Sequence, residues 1–569
     1  MKRFTSALII LLALDIGTLE AQVATSSVES SRSISRILGI PSSLSGKCGT
    51  SDLIYAYGHW GQLSAQTKDA ILRISIRPTS QKDRPSRSGR FRIHYDTIGV
   101  DSPALITSGP APQRIPNSVE RYIDSVGAIF DYIWVLEVDT LGFLPPPSDG
   151  AQGGGPEYDV YVMDKGVGEF GRTNWVPSDP NDIIEKTDVR GTFKTYIEID
   201  NDFLGFRTSG MDGLRITAAH EFHHAIQVGN YGYWFTVPDN DFYFYELTSV
   251  WMERVAYSTI HDYYFDLPNY LQRFRDSQNR SLPFTARTIA FPGYERSIWA
   301  QYLAKRFGKD VMRQIWTGVV TDPVLVSTGK VLQQRGTSLE SEFAQFSYWN
   351  YFTADRVVFG KYYDDGRDWP RFLPNVTSTF GGLSSSVSSS GWPLSTQFCQ
   401  FAIPGDTITA ILVNINTAHA VDPSPSFAGF QLQLNASNVP TPYQKMAGGL
   451  SLSFIPADKS QWRSLYLQSS TKSAASVAAD AFPNPIHVSY DSKLNLPLGG
   501  STDRRAVVYF LNAALELVMS REYDVTEAFG LRFLSVPASD LHDGIPSGVY
   551  FVKATCGDKD FQWKVAIIQ

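Results

Sequence analysis

The sequence predicts a multidomain protein in which an α+β domain is followed by two all-β modules. The chain has 569 residues, of which 43% are hydrophobic and 19% charged, a composition typical of folded protein and a length too great for one core. Strand patterns precede helical patterns between about residues 86 and 377, as in an α+β domain. After residue 393 the helical pattern disappears, and short alternating strands separated by Pro, Asn and Gly indicate β-sandwiches.

The N-terminus has the pattern of a secretory signal peptide, residues 1–21. Lys2 and Arg3 precede an apolar run, and Leu19-Glu20-Ala21 is similar to a cleavage site. The apolar run is too short to cross a bilayer, so no transmembrane segment is expected in the mature chain. Residues 22–85 begin Ser-rich and continue with a helical pattern, and we interpret them as a pro-segment or an N-terminal brace.

Regular patterns within residues 86–377 define the elements of the α+β domain. Alternating stretches predict strands in SGRFRIHYDT, YDVYVMD and TYIEIDNDF. Helical spacing of apolar residues predicts helices in NSVERYIDSVGAIFDYIWVLEVD, YELTSVWMERVAY, SIWAQYLAKRFGKDVMRQIW and TSLESEFAQFSYWNYF. The last helix opens with a capping-box pattern from Thr337 to Glu340. The strand TYIEID is either a sheet edge that binds an extended peptide or an internal strand.

The remainder of the chain divides into a linker and two β modules. Residues 378–392 are Ser/Gly-rich and are predicted to form the linker. Residues 393–478 form the first module, with strand patterns in TITAILVNIN, GFQLQLNAS and LSLSFIP. Residues 479–569 form the second.

Charge and cysteine content limit the classes of partner and cofactor. The net charge of −7 gives no reason to expect nucleic acid as a partner. The three cysteines, Cys48, Cys399 and Cys556, allow at most one disulfide, and the sequence leaves its pairing open. Two acidic loops, 178–188 and 238–242, could hold Ca²⁺, but neither has the spacing of a known calcium loop, so we interpret both as solvated turns.

The stretch TAAHEFHHAIQ contains a pattern that predicts a metal site on a helix. His220 and His224 are separated by one helical turn, so both imidazoles can reach a single ion, and Glu221 lies about 100° around the helix, where it can contact a water at the ion. His223 occupies a position that is usually apolar in such helices. We interpret it as a supporting or solvent-facing residue rather than a ligand.

A third ligand is expected on a following helix. A histidine ligand at position 230 is excluded, because that residue is asparagine. The stretch YELTSVWMERVAY instead supplies Glu246 and Glu253, which lie two turns apart on one helical face. Spacing alone leaves open which of the two binds the ion.

These residues resemble the gluzincin metallopeptidases, in which a glutamate on a later helix completes a zinc site. The resemblance implies Glu246 as the third Zn²⁺ ligand and Glu253 as a carboxylate that orients a ligand histidine. The stretch PGYERSIWAQYLAKRFG resembles another part of these enzymes, and this implies Tyr294 as a phenol that stabilises an oxyanion. Residues 40–375 also resemble a group of secreted, multidomain bacterial metallopeptidases, which implies a zincin-like catalytic domain.

The C-terminal module resembles the type IX secretion sorting domain, an immunoglobulin-like (Ig-like) sandwich. The resemblance rests on AFPNPIHVSY and on the terminal stretch IPSGVYFVKATCGDKDFQWKVAIIQ. The matching residues are Phe482, Pro483, Asn484, Pro485, Ser547, Gly548, Val549, Tyr550, Gly557 and Lys564. It implies export by a signal peptide and then delivery outside the cell by the type IX secretion machinery.

These observations together predict a secreted zinc metallopeptidase that acts on protein or peptide substrates. Glu221 is the expected general base for a metal-activated water. We favour an endopeptidase, because no acidic anchor for a substrate's free amine is apparent, as an aminopeptidase would need. The alternative is a non-catalytic cell-surface adhesin or glycan-binding protein whose zincin domain is structural.

Overall fold

The structure, a computed structural model, describes most of the α+β domain and a large part of both β modules. The described residues are 32–37, 47–166, 168–235, 238–271, 293–358, 360–372, 376–379, 384–403, 406–417, 428–436, 450–456, 462–469, 481, 484–488, 493–498, 503–528, 531–542, 545–557 and 559–569. The predicted signal peptide, residues 1–21, and two of the matched sorting residues, Phe482 and Pro483, lie outside them.

A five-stranded mixed sheet is the framework of the α+β domain. The strands of this domain are β1 (Lys82–Pro85), β2 (Phe91–Tyr95), β3 (Tyr158–Met163), β4 (Gly171–Asn174), β5 (Ile183–Lys186), β6 (Arg190–Phe193), β7 (Tyr196–Asp200) and β8 (Tyr233–Trp234). The main sheet has the order β1-β2-β3-β7-β4, and β5, β6 and β8 form a smaller one. The predicted strands are confirmed as β2, β3 and β7. Strand β7 pairs on both sides, so TYIEID is internal. The edge strands are β1 and β4, and each is antiparallel to its neighbour.

Helices pack against this sheet and against one another. They are α1 (Arg32–Ile37), α2 (Thr50–Gly58), α3 (Ala65–Ile74), α4 (Val119–Trp134), α5 (Gly210–Ile226), α6 (Pro238–Ala256), α7 (Leu267–Leu271), α8 (Ser297–Phe307), α9 (Asp310–Val319), α10 (Val324–Gln334) and α11 (Leu339–Asn350). The motif lies on α5, which packs against β4 and β7 and, on another side, against α4 and α6.

Two sequence predictions about helices need correction. The stretch SIWAQYLAKRFGKDVMRQIW forms two helices, because Gly308 has φ +88°, a conformation that ends α8. The cap of α11 is Ser338 rather than Thr337: the Ser338 hydroxyl accepts a hydrogen bond from Ser341 N at 3.2 Å, as an N-cap does, whereas the Thr337 hydroxyl donates to Glu342.

The N-terminal residues share the hydrophobic core of the α+β domain. Leu53 and Ile54 of α2 and Ile71 of α3 are fully buried in the same cluster as Phe91 of β2 and Phe222 of α5. Helix α2 contacts both α6 and β4. Residues 47–85 are therefore part of the packed domain in this structure.

The first β module contains two separate sheets among its described residues. Its strands are β9 (Val376–Thr379), β10 (Ser384–Gly391), β11 (Ser395–Ile403), β12 (Asp406–Asn414), β13 (Ala428–Ala436), β14 (Leu450–Pro456) and β15 (Trp462–Ser469), in the orders β10-β13-β14 and β15-β12-β11-β9. The prediction that residues 378–392 form a linker is wrong for Ser384–Gly391, because this stretch is a strand that pairs along its length with β13. Pairing satisfies the backbone groups of this Ser-rich stretch whatever its side chains are.

The first β module continues the core of the α+β domain, whereas the C-terminal module has its own. Phe398 of β11 lies 4.1 Å from Phe372 between ring centroids, and Thr396 bonds Ser347 of α11 at 2.6 Å. The C-terminal module contains β16 (Ile486–His487), β17 (Lys493–Pro497), β18 (Arg505–Leu511), β19 (Leu517–Ala528), β20 (Leu531–Pro537), helix α12 (Ala538–His542), β21 (Gly548–Cys556) and β22 (Lys559–Ile568). Their buried residues form a separate cluster.

Two further sequence expectations concern disulfides and membranes. Cys48, Cys399 and Cys556 are all described and buried, and no disulfide joins them. Within the described residues, no helix is both long and apolar enough to cross a bilayer.

Candidate metal centre

Side chains from two helices and the N-terminal segment meet at one buried point. His220 and His224 come from α5, Glu246 from α6, and Cys48 from the residues just before α2. Each offers one ligand atom, and these four atoms lie within 4.8 Å of one another. In the part of the chain that the structure describes, this is the one group of three or more His, Cys, Asp or Glu side chains close enough to share an ion.

The distances among the three predicted ligands fit one small cation. His220 Nε2 lies 3.1 Å from His224 Nε2 and 3.2 Å from Glu246 Oε2, and His224 Nε2 lies 3.6 Å from the same oxygen. Ligand atoms bonded at about 2.1 Å to one tetrahedral zinc ion are about 3.4 Å apart. The three side chains therefore fit a zinc ion without rearrangement of the helices.

Hydrogen bonds on the far side of each imidazole turn its Nε2 lone pair toward this point. His220 Nδ1 donates to Glu253 Oε1 at 2.7 Å, and His224 Nδ1 donates to Gln227 Oε1 at 2.7 Å. The amide of Gln227 is fixed in this orientation because its nitrogen donates to Tyr245 O and the Thr248 hydroxyl. Such outer contacts set the tautomer of a metal-binding histidine.

The centre concentrates buried negative charge next to two imidazoles. Both oxygens of Glu246 are buried and have no partner with hydrogen-bond geometry in the described structure. Burial alone would raise the pKa of Glu246, but the imidazoles of His224 and His220 lower it below its ordinary value. Burial alone would lower the pKa of His220, yet the carboxylates of Glu246 and Glu253 raise it to about 9. A buried site with this electrostatic bias favours a cation.

Glu253 lies outside the group of ligand atoms and supports it. Its Oε1 accepts from His220, and its Oε2 accepts from the Lys47 ammonium at 2.5 Å. Lys47 also donates to Asp262 at 2.8 Å. Burial opposes the charge on Lys47, but Asp262 and Glu253 together raise its pKa. The structure thus places Glu246 at the centre and Glu253 behind a histidine.

Glu221 lies beside the centre and is held by two threonines. The hydroxyls of Thr50 and Thr173 each donate to Glu221 Oε2 at 3.0 Å. Thr173 belongs to β4, so the sheet edge orients this carboxylate. The neighbouring Gly171 allows the approach, since a Cβ there would lie 2.8 Å from Thr217 Cγ2 and 3.0 Å from Glu221 Cγ.

Tyr294 is buried next to the centre, with its ring centroid 6.0 Å from that of His220. Its hydroxyl accepts a hydrogen bond from Cys48 N at 3.0 Å. The Cys48 thiol itself accepts from Thr50 N at 3.2 Å. Burial, followed by the carboxylates of Glu221 and Glu246, raises the pKa of this thiol well above its ordinary value.

His223 points away from the centre and forms a buried pair with Glu137. His223 Nδ1 lies 2.8 Å from Glu137 Oε2, and both residues are fully buried. Burial raises the pKa of Glu137 and lowers the pKa of His223, so burial disfavours the charged form of both groups. This position agrees with the expectation that His223 is not a ligand. The alternative that His223 faces solvent is wrong, because its side chain is buried.

Four residues of the site were not singled out from the sequence. Gln227 lies one turn beyond His224 on the same helix, and helical spacing could have identified it. Cys48, Thr50 and Thr173 reach the site through long-range contacts, and no local pattern marks them. The acidic stretches 178–188 and 238–242, interpreted as solvated turns, hold no such cluster among the described residues. For 238–242 the interpretation as a solvated turn is wrong, because Asp241 is buried on α6 and accepts from Val324 N.

Comparison of the chain with family models and with curated proteins finds no match to either.

Proposed function

We propose that this protein is a secreted zinc metallopeptidase of the gluzincin kind, with a zincin-like catalytic domain. The observation that carries the proposal is the convergence of His220 Nε2, His224 Nε2 and the orphaned Glu246 carboxylate, with Glu221 beside them. Zinc fits this donor set of two imidazoles and one carboxylate, which is typical of catalytic rather than structural sites.

Side chains of the protein transfer the protons and orient the groups that do so. A bound zinc ion would supply Lewis acidity, which polarises a carbonyl and makes a water more acidic. Glu221 accepts the proton of the attacking water and later gives it to the leaving amine. Thr50 and Thr173 hold Oε2, so we assign Oε1 as the atom that carries this proton. Tyr294 donates a hydrogen bond from its hydroxyl to the developing oxyanion.

The substrate is proposed to be a protein or peptide cleaved internally. An extended peptide can bind by adding to a sheet edge. The edge next to Glu221 is β4, because Thr173 in this strand contacts the carboxylate. A substrate at this edge would run past the centre in both directions, as an endopeptidase requires.

The test replaces the proposed base by glutamine and makes the same substitution at a control glutamate far from any assigned role. Glu221→Gln keeps the size and the acceptor oxygen for both threonines but cannot take a proton, so hydrolysis of a peptide library should fall to background while zinc content stays unchanged. Glu185→Gln, an exposed glutamate on β5, should behave as the parent. Both are measured in the wild type and in a Cys48→Ser background, because the Cys48 thiol lies among the ligand atoms. Hydrolysis by Cys48→Ser/Glu221→Gln at the rate of Cys48→Ser would contradict the assigned role.

The C-terminal module is proposed to be an Ig-like type IX sorting domain, which directs the protein to the cell surface or beyond. The matched Asn484 links the first and last strands of the module: its side chain donates to Lys564 O at 2.7 Å and accepts from Ala566 N at 2.8 Å. The two stretches on which the resemblance rests are therefore hydrogen-bonded to each other.

A second candidate is a non-catalytic adhesin or glycan-binding protein. The observation in its favour is Cys48, because a thiolate as fourth ligand gives the closed coordination typical of structural zinc sites. Zinc that binds stoichiometrically without peptide hydrolysis in any variant would favour this candidate.

A further inference from the structure

We infer that residues 47–50, the inhibitory segment, hold the protein in a latent state in which Cys48 Sγ is the fourth ligand of the metal. This inference rests on the proposed peptidase function. The segment consists of Lys47, Cys48, Gly49 and Thr50 and leads directly into α2.

The position of the thiol supports ligation. Cys48 Sγ, the two imidazole nitrogens and a Glu246 oxygen form one group of buried atoms, and both Glu246 oxygens lack a hydrogen-bond partner in the described structure. Thiolate is among the strongest protein ligands for zinc, and ligation releases the thiol proton. A sulfur at this place occupies the position that a catalytic site leaves for water and substrate.

Neighbours of the thiol contact the other groups that turnover needs. Thr50 donates to Glu221, the proposed base, at 3.0 Å. Cys48 N donates to the hydroxyl of Tyr294, the proposed oxyanion donor, at 3.0 Å. Lys47 is bound to Glu253, which orients His220. Three of the segment's four residues therefore engage the ligands, the base, the phenol and the orienting carboxylate.

The backbone of the segment also covers the sheet edge that a peptide would use. Cys48 pairs with Gly171 of β4 in a parallel bridge. Gly49 N donates to Gly171 O at 3.1 Å, and Phe170 N donates to Lys47 O at 2.9 Å. A substrate strand cannot pair with these atoms while the segment is in place, so the metal position and the peptide edge are blocked together.

The latent state therefore ends only when Cys48 leaves the centre. Once the bond between the metal and the sulfur is lost, the segment can leave strand β4, and the fourth position and the edge at Gly171 become accessible to substrate. Removal of the sulfur alone should be enough to open the metal position, because the two imidazoles and Glu246 are held by contacts that do not involve it.

The test uses the full chain loaded with Co²⁺ in place of zinc, because a thiolate ligand gives cobalt a near-ultraviolet charge-transfer band. Wild type should show this band, and Cys48→Ser should lose it completely while still binding the metal. Cys399→Ser and Cys556→Ser remove the other two buried thiols and should keep the band. In the wild type, a thiol reagent should modify Cys48 only after the metal is removed with a chelator, a readout that needs no variant to fold.

Peptide hydrolysis then separates the inference from the function on which it rests. Zinc-loaded Cys48→Ser should hydrolyse a peptide library faster than zinc-loaded wild type, and Cys48→Ser/Glu221→Gln should return to background. A cobalt spectrum that is the same with and without Cys48 overturns the inference alone. Metal binding with a Cys48-dependent band but no hydrolysis in either protein overturns both the latency and the peptidase function. Failure of the wild type to bind metal also overturns both.

Discussion

At the scale of single residues, two glutamates on α6 have different surroundings, although helical spacing alone leaves them equivalent. Glu246 directs an oxygen to within 3.2 Å of His220 Nε2, whereas Glu253 bonds the opposite nitrogen, Nδ1, at 2.7 Å. One carboxylate therefore faces the metal position, and the other fixes the imidazole that faces it.

This difference predicts unequal effects of the same substitution. Glu246→Gln should abolish stoichiometric metal binding, because the charged ligand is lost from a buried site. Glu253→Gln should lower metal affinity by only about 10- to 100-fold, the usual effect of changing a residue that orients a ligand. The measurement is competition with a chelator of known affinity. If Glu253→Gln loses the metal and Glu246→Gln keeps it, the third ligand is Glu253.

The sequence could predict those site residues that a helix brings together. His220, Glu221 and His224 follow from a spacing of one turn, and Glu246 and Glu253 follow from two turns on a neighbouring helix. Cys48 and Thr50 could not be predicted, because they approach α5 only after the N-terminal segment packs along β4. Such long-range contacts form only in the folded domain, and they produce no periodic pattern in the sequence.

At the scale of elements, a buried carboxyl connects two helices. Asp241 of α6 accepts hydrogen bonds from Val324 N, at the start of α10, at 3.2 and 3.3 Å from its two oxygens. Burial raises the pKa of Asp241 to about 7, although the bond from Val324 N acts in the opposite direction. The carboxyl therefore takes up a proton more readily in the folded than in the unfolded chain.

The raised pKa predicts a stability that falls with pH. Between about pH 4, the unfolded value, and about pH 7, the folded protein binds more protons than the unfolded one, so the stabilising contribution of Asp241 is lost as pH rises. Asp241→Asn keeps an acceptor for Val324 N and cannot ionise. The variant should therefore gain stability relative to wild type on going from pH 5 to pH 8, by at most about 3 kcal/mol.

Denaturant unfolding at the two pH values measures this difference. Asp69→Asn is the control, because Asp69 is exposed on α3. An equal difference between Asp241→Asn and wild type at pH 5 and pH 8 would show that Asp241 does not titrate with folding.

Most elements of the α+β domain could be predicted, and the failures have physical causes. Strands β2, β3 and β7 alternate or run apolar because the sheet is buried, so their patterns are strong. Strand β4 reads GRTN and β10 reads SSSVSSSG, and neither sequence is apolar enough to indicate a strand. Strands β4 and β10 form because the backbone of a neighbouring strand pairs with theirs. The local sequence does not reveal this neighbour.

At the scale of the whole molecule, the buried clusters of the described residues do not follow the three predicted units one by one. The first β module shares aromatic contacts with the α+β domain, including Phe398 with Phe372. The C-terminal module buries its own residues, among them Phe510. The two parts should therefore unfold independently.

Deletion of residues 479–569 tests this division together with the sorting proposal. The shortened chain should keep its metal content and its melting temperature, because its core is intact, but it should no longer reach the cell surface. In the full chain, Phe398→Ala should destabilise the metal-containing part by about 3–5 kcal/mol, whereas Phe510→Ala should leave that part unchanged. Loss of metal on deletion would show that the C-terminal module is needed for the fold of the rest.

The centre draws its four atoms from residues 48, 220, 224 and 246, which are far apart along the chain. A polypeptide still being made, or threaded unfolded through a translocation channel, has no hydrolytic centre at all. Under the proposed function, the producing cell is protected from its own enzyme by the order of events: assembly comes only after passage, and by then the sulfur at position 48 is already in place.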